Sequence, residues 1–126
     1  MRAAYVDSSW LIALGFGERD PAALAARLES FDEVFSSNLL EAEVRSAFAR
    51  EGAELDPQLI APIGWVLPKR RLSREIVQVL TAGYTRGADL WHLASALYLA
   101  PNPQDLAFLS LDDKQLEVAR QLGFAV

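Results

Sequence analysis

Residues 84–100 read Tyr-Thr-Arg-Gly-Ala-Asp-Leu-Trp-His-Leu-Ala-Ser-Ala-Leu-Tyr-Leu-Ala, and no other stretch limits the fold as strongly. A helix over 88–100 is apolar on nearly every side, so it must be buried. Asp89 and His92 nevertheless sit inside it, one helical turn apart. The face that carries Asp89 continues with Leu93, Ala96 and Ala100. An isolated carboxylate on a dry face costs several kcal/mol or takes up a proton. Asp89 therefore needs a positive partner, either a basic side chain or a bound cation.

The rest of the chain supplies the cover such a helix requires. Ala3 to Val6 forms a short apolar strand that ends at Asp7, and Ser8 and Ser9 open a helix stopped by Gly15 and Gly17. Asp20-Pro21 starts a second helix, with Asp as cap and Pro at the first helical position. Residues 33–36 form a second strand. Asn38 is positioned to cap the next helix, with Glu41 completing a capping box and Leu40, Val44, Ala47 and Phe48 as the apolar stripe. Asp56-Pro57 repeats the helix start, and Leu59, Ile60, Ile63 and Val66 turn inward, although Pro62 and Gly64 make this segment irregular. Ser73, Ile76, Val77 and Leu80 give a short helix ending near Gly83. Residues 106–109 form a third strand, a helix through Leu116, Ala119, Arg120 and Leu122 ends at Gly123, and 124–126 can close the sheet. Short apolar strands alternating with helices indicate a parallel sheet covered on both faces, in one domain over residues 1–126.

Composition removes several chemistries. There is no Cys, which excludes disulfides, thiolate zinc sites and cysteine nucleophiles and suits a reducing cytoplasm. One His rules out a His-rich metal centre. No stretch resembles a signal peptide or a membrane span. The net charge of −5, from 17 acidic and 12 basic residues, opposes broad nucleic-acid binding unless acids cluster on divalent cations.

Asp7 and Asp112 each follow a strand, where sites form in open parallel sheets. Asp89 begins the buried helix, and Glu43 lies on the helix after the second strand. These four acids are candidates to converge at one sheet edge. Each also has an ordinary use: Asp7, Asp89 and Asp112 can cap helices, and Glu43 can be solvated. Glu41 and Glu43 lie about 200° apart on a helix, so only one enters a common site. Glu41 has its place in the capping box, which favours Glu43. Asp113, adjacent to Asp112, is a candidate for a second cation or for the helix cap. His92 can be a general base, but a lone buried His is more often a hydrogen-bonded core residue. A Ser-His-Asp triad through Ser8 or Ser9 lacks a nucleophile-elbow pattern.

Four separated stretches resemble the PIN-domain ribonucleases, specifically the VapC toxins of VapBC toxin–antitoxin pairs. They are Tyr5-Val6-Asp7-Ser8-Ser9-Trp10-Leu11-Ile12-Ala13-Leu14, Ser36-Ser37-Asn38-Leu39-Leu40-Glu41-Ala42-Glu43-Val44-Arg45-Ser46-Ala47, Ala88-Asp89-Leu90-Trp91-His92-Leu93-Ala94-Ser95-Ala96 and Phe108-Leu109-Ser110-Leu111-Asp112. The second aligns Glu43 with the family's acidic residue. Ser8 and Ser110 stand where Thr is commoner, which keeps the hydroxyl. Residues 53–83 carry no such motif. The resemblance implies a three-layer α/β/α sandwich around a short, mostly parallel five-stranded sheet. It also implies Mg²⁺- or Mn²⁺-dependent endonuclease action on RNA, a homodimer, and inhibition by a cognate VapB-like antitoxin.

Carboxylate-only sites favour hard cations such as Mg²⁺ or Mn²⁺ over zinc. Asp7, Glu43, Asp89 and Asp112 are the expected metal ligands, directly or through water, with Asp89 or Glu43 as acceptor of a proton from the attacking water. Ser9 or Ser110 is expected to orient a ligand by hydrogen bonding. Arg45, Arg50, Arg86 and the clump Lys69, Arg70, Arg71 and Arg74 are candidates to guide the RNA backbone, or else a solvated face. Trp10, Phe16, Trp65 and Tyr98 are candidates for partner contact, though core packing is the commoner use of an aromatic. Two other functions compete: a non-catalytic PIN-like module that binds RNA or protein, and a receiver-like phospho-acceptor domain. The latter would need a lysine near the last strand, and only Lys69 and Lys114 are available.

Overall fold

A computed structural model describes residues 2–126. The sheet is built outward from β1 (Ala3–Val6). β1 pairs in parallel with β2 (Glu33–Ser37) on one side and β4 (Ala107–Leu109) on the other, and β3 (Gly64–Val66) extends the sheet beyond β2. The order is β3-β2-β1-β4. Side chains alternate across a strand, so Tyr5 of β1 enters one core while Ala4 and Val6 enter the other. Phe108 of β4 is divided from Ala107 and Leu109 in the same way.

Helices cover both faces, which gives the three-layer α/β/α sandwich. On the Val6 face lie α1 (Ser8–Gly15), α2 (Pro21–Glu29) and α3 (Leu39–Arg50), with Leu11, Leu40, Val44 and Phe48 buried. A Cβ on Gly15 would come 2.6 Å from the Phe48 ring, so glycine lets α1 approach α3. On the Tyr5 face lie α4 (Ser73–Ala82), α5 (Gly87–Leu99) and α6 (Asp113–Leu122). Every residue of α5 from His92 to Leu97 is buried, as its all-round apolar sequence requires. No helix among the described residues is long and apolar enough to cross a membrane.

Three local expectations need correction. The sheet has four strands, not five: the segment expected to close it makes one bridge, Ala125 to Ala107, with Phe108 N–H bonded to the Ala125 carbonyl at 2.7 Å. The segment after Asp56 is a short 3₁₀ turn, Pro57–Leu59, followed by β3. Pro62 cannot donate within a helix, and Gly64 lies flat against Phe35, where a Cβ would stand 2.9 Å from the ring. Ile60, Ile63 and Val66 are buried nonetheless. The capping box on α3 does not form: Asn38 makes no side-chain cap bond, Ser37 Oγ accepts from Leu39 N–H at 3.0 Å, and Glu41 pairs with Arg45. The short helix before Gly83 forms as α4; along it Glu75 and Val79 are buried while Val77 and Leu80 are exposed.

The topology also separates this chain from receiver-like domains. In that order the first strand lies between the second and third. Here β1 lies between β2 and β4.

Candidate active site

All strands run in parallel, so their carboxyl ends and the side chains after them gather along one edge of the sheet. β1 ends at Val6 because Asp7 follows and caps α1. The Asp7 main chain is still tied to the sheet, its N–H bonded to the Leu109 carbonyl at 2.9 Å. Its side chain is 3% exposed. Asp7 Oδ2 accepts from Ser9 N–H at 3.2 Å and from the Ser9 hydroxyl at 2.6 Å. Ser110 Oγ lies 3.3 Å from the same oxygen. The Ser9 hydroxyl in turn accepts from Leu111 N–H at 3.0 Å, which ties the start of α1 to the loop after β4. Ser9 and Ser110 therefore both lie against Asp7. Because the Ser9 proton goes to Asp7, the Ser-His-Asp triad finds no support.

Asp112 caps α6, with Oδ1 accepting from Gln115 N–H at 3.0 Å. Capping occupies one oxygen, so the other remains available. Asp113 is exposed at the first position of α6 and does not cap it. Gln115 is the residue that sequence reasoning missed. It is 1% exposed; its Oε1 accepts from the Ser110 hydroxyl at 2.7 Å and its Nε2 reaches the Asp89 carbonyl at 3.4 Å. The available signal was its place three residues after Asp112, the capping-box spacing.

Glu43 projects from α3 towards α5, and its Oε1 is 2.6 Å from His92 Nε2. The same nitrogen lies 3.6 Å from Asp7 Oδ1. Glu41, two residues earlier, instead faces solvent with Arg45 at 2.7 Å. His92 is a hydrogen-bonded buried residue, and one of its partners is a candidate site acid. Its other nitrogen, Nδ1, is 2.6 Å from the Tyr5 hydroxyl.

Asp89 is the exception among these acids. It lies in the first turn of α5 but caps nothing, and among the described residues its carboxylate makes no hydrogen bond or ion pair. Burial, first, and then the negative charges of Asp7 and Asp112 hold its carboxyl above the usual range; His92 opposes this and Glu43 adds to it. Asp7, Asp112 and Glu43 thus each act on Asp89. Asp89 and Asp112 also share a cleft of about 130 Å³ with Tyr84, Thr85, Arg86, Lys114 and Gln115. A larger apolar cavity of about 570 Å³, lined by Leu28, Phe31, Val34 and Ile63, contains none of the four.

Basic residues separate by partner. Arg45, Arg50 and Arg70 are engaged by Glu41, Glu51 and Glu75. Arg86 borders the acidic cleft, and Lys114 there lies 5.1 Å from the centre of the Tyr84 ring. Of the four aromatics considered for partner contact, Trp65 is the most exposed at 38%, and Trp10, Phe16 and Tyr98 are half-buried.

The residues fit a hard divalent cation by donor type and by charge: all four are carboxylates, and the Asp89 carboxyl is held among like charges and forms no ion pair among the described residues, although Arg86 and Lys114 line the same cleft. Among the described residues, no three acidic or imidazole groups are yet close enough to hold a metal as they stand. Binding would draw the side chains inward.

No curated protein and no solved structure matches the chain. A family match does exist, to the PIN domain, and it runs over residues 4–121. That span takes in β1 and its aspartate, α3 with Glu43, α5 with Asp89 and the Ser110–Asp112 loop, so the chain belongs to the PIN domain family, a superfamily of nucleases.

Proposed function

We propose that this PIN domain is a Mg²⁺- or Mn²⁺-dependent endoribonuclease, the toxin of a type II toxin–antitoxin pair of the VapC kind. It would act in the cytoplasm as a homodimer held in check by a VapB-like antitoxin. One observation carries the hydrolytic part: Asp89 is desolvated among Asp7, Asp112 and Glu43, and its carboxylate forms no ion pair among the described residues. A fold keeps such a charge where a ligand supplies the missing positive charge. The toxin role rests on the four motif stretches alone.

A bound Mg²⁺ or Mn²⁺ would neutralise phosphate charge and lower the pKa of a bound water. Asp7, Glu43, Asp89 and Asp112 are the residues that would hold it. Ser9 keeps the Asp7 carboxylate aimed by donating to one of its oxygens, while Ser110, whose proton goes to Gln115, lies beside that oxygen. Gln115 holds Ser110 and the backbone of Asp89 in register, so the β4 loop and the start of α5 move as a unit. Arg86, and Lys114 beside it, border the cleft where an RNA phosphate would approach. Asp89, least engaged of the acids, is the best placed to take a proton from an attacking water.

Binding of RNA or protein without cleavage is the competing function, favoured by the open spacing of the carboxylates. One experiment separates the two. Purified protein is incubated with structured RNA under Mg²⁺, Mn²⁺ and EDTA, beside Asp7→Asn. Cleavage with either metal, lost in EDTA and in the variant, is expected. Asn caps a helix as well as Asp, so cleavage that persists in Asp7→Asn would falsify the catalytic role of that residue.

A further inference from the structure

The chain's one histidine is wired from both sides, and the proposed function leaves it unused. Ser37 N–H donates to Tyr5 Oη at 3.0 Å. With that lone pair taken, the phenol proton points elsewhere, and His92 Nδ1 stands 2.6 Å away. The neighbouring Ser36 hydroxyl gives its own proton to the Val6 carbonyl at 2.7 Å. A phenol keeps its proton at neutral pH, so Tyr5 serves as a donor to the one acceptor in reach. Nδ1 is then an acceptor, and the ring hydrogen belongs on Nε2. Nε2 faces Glu43 Oε1 at 2.6 Å and Asp7 Oδ1 at 3.6 Å. His92 and Tyr5 are fully buried, and Tyr5 stacks on Phe108 at 5.4 Å, so the ring has little freedom to turn away.

We propose that His92 is a positioning residue: fixed as its Nε2–H tautomer by the chain Ser37 N–H to Tyr5 Oη–H to Nδ1, it holds the Glu43 carboxylate beside Asp7. Without that bond the partly exposed Glu43 carboxylate, repelled by Asp7, would swing away into solvent. A single N–H placed between them lowers their repulsion and fixes the Glu43 rotamer before any cation arrives. Tyr5 belongs to β1 and Ser37 to the end of β2, so the sheet itself sets where the α3 carboxylate stands. This rests on the proposed metal site, but part of its test does not.

Because His92 is the only histidine, the two-bond proton–nitrogen spectrum of the uniformly ¹⁵N-labelled protein without metal shows one imidazole. The expected result is a protonated nitrogen at Nε2 and an unprotonated one at Nδ1, with the Nε2 signal moving in Glu43→Gln. A proton on Nδ1 instead, or a ring unmoved by Glu43→Gln, overturns the proposal without reference to metal. Calorimetric titration with Mn²⁺ supplies the second arm. His92→Leu should weaken Mn²⁺ binding about 10–100-fold, the effect of losing a group that orients a ligand. His92→Gln, which restores an N–H near the Nε2 position, should recover most of it. Circular dichroism and thermal melting select the folded variants. A folded His92→Leu that binds Mn²⁺ as tightly as the parent overturns the positioning role. Absence of Mn²⁺ binding in the parent overturns the proposed metal-dependent function instead, and the spectrum alone then decides whether the Tyr5–His92–Glu43 link exists.

Discussion

Glu75 and Asp89 both occupy the first turn of a helix on the Tyr5 side of the sheet, where the helix dipole favours a negative charge. Their surroundings differ. Glu75 is shut off from solvent and is gripped by Arg70 through two bonds, at 2.6 and 3.0 Å. That guanidinium draws its carboxyl down to about 2. Asp89 has no such partner, and burial among Asp7, Asp112 and Glu43 pushes its carboxyl up. Local helix position is therefore a poor guide to what a carboxylate does. Glu75 is complete within the folded chain, and Asp89 is left wanting a positive ligand.

Exchanging each acid for its amide tests that contrast most sharply. Asp89→Asn should lower RNA cleavage by at least about a hundredfold, given that even residues orienting a metal ligand cost 10–100-fold. Glu75→Gln should leave the rate per folded molecule unchanged. Equal losses in a single-turnover assay would erase the distinction between the two acids.

Next in size is the response to metal. Mg²⁺ at a hundred times its dissociation constant should stabilise the protein by about 2.7 kcal/mol, read as a rise in melting temperature. Glu75→Gln should keep that rise and Asp89→Asn should lose most of it. Without metal, Asp89→Asn should melt no lower than the parent, because the amide removes a desolvated charge.

Acid separates the pair again, with opposite signs. The Glu75 carboxyl is lower in the folded state than its ordinary 4.5. Its contribution is therefore fully present above about pH 4.5 and is lost as pH falls towards 2. Asp89 is raised above its ordinary 3.8, so its ionised form opposes folding as pH climbs through the folded value. Melting curves from pH 6 to 2.5 should fall less steeply for Glu75→Gln than for the parent. An unchanged slope would mean that the Arg70 contact carries no charge coupling.

The smallest effect is expected at the solvated pair. Glu41 and Arg45 lie four residues apart on α3 and are largely exposed, so Glu41→Ala should cost about 0.2–0.5 kcal/mol and leave cleavage untouched. A loss of activity there would mean that Glu41, not Glu43, faces the site.

Several parts of the fold were legible because their cause is local. The Asp20-Pro21 start is realised, with Asp20 Oδ1 accepting from Ala23 N–H. The buried α5 follows from its uninterrupted apolar surface. β1, β2 and β4 announce themselves as short apolar runs before polar residues. β3 stayed hidden because three residues with a glycine carry no period, and its pairing with β2 exists only once Phe35 is in place to meet Gly64. On α3, Asn38 and Ser37 were both competent to cap, and the turn that ends β2 selected Ser37.

For the site, the sequence by itself supplied the acids and their order: an aspartate after β1, another after β4, one in an apolar helix that could not tolerate it unaided. Choosing Glu43 over Glu41 by sequence leaned partly on a cap that does not form and more firmly on the second motif stretch; His92, across the molecule on α5, is what holds Glu43 inward. Gln115 and Tyr5 became visible only as contacts between segments. The division has one physical origin. Caps, breakers and hydrophobic period act over a few residues and leave a trace in the chain, whereas a carboxylate's orientation and charge environment are set by groups that only folding brings within a few ångströms.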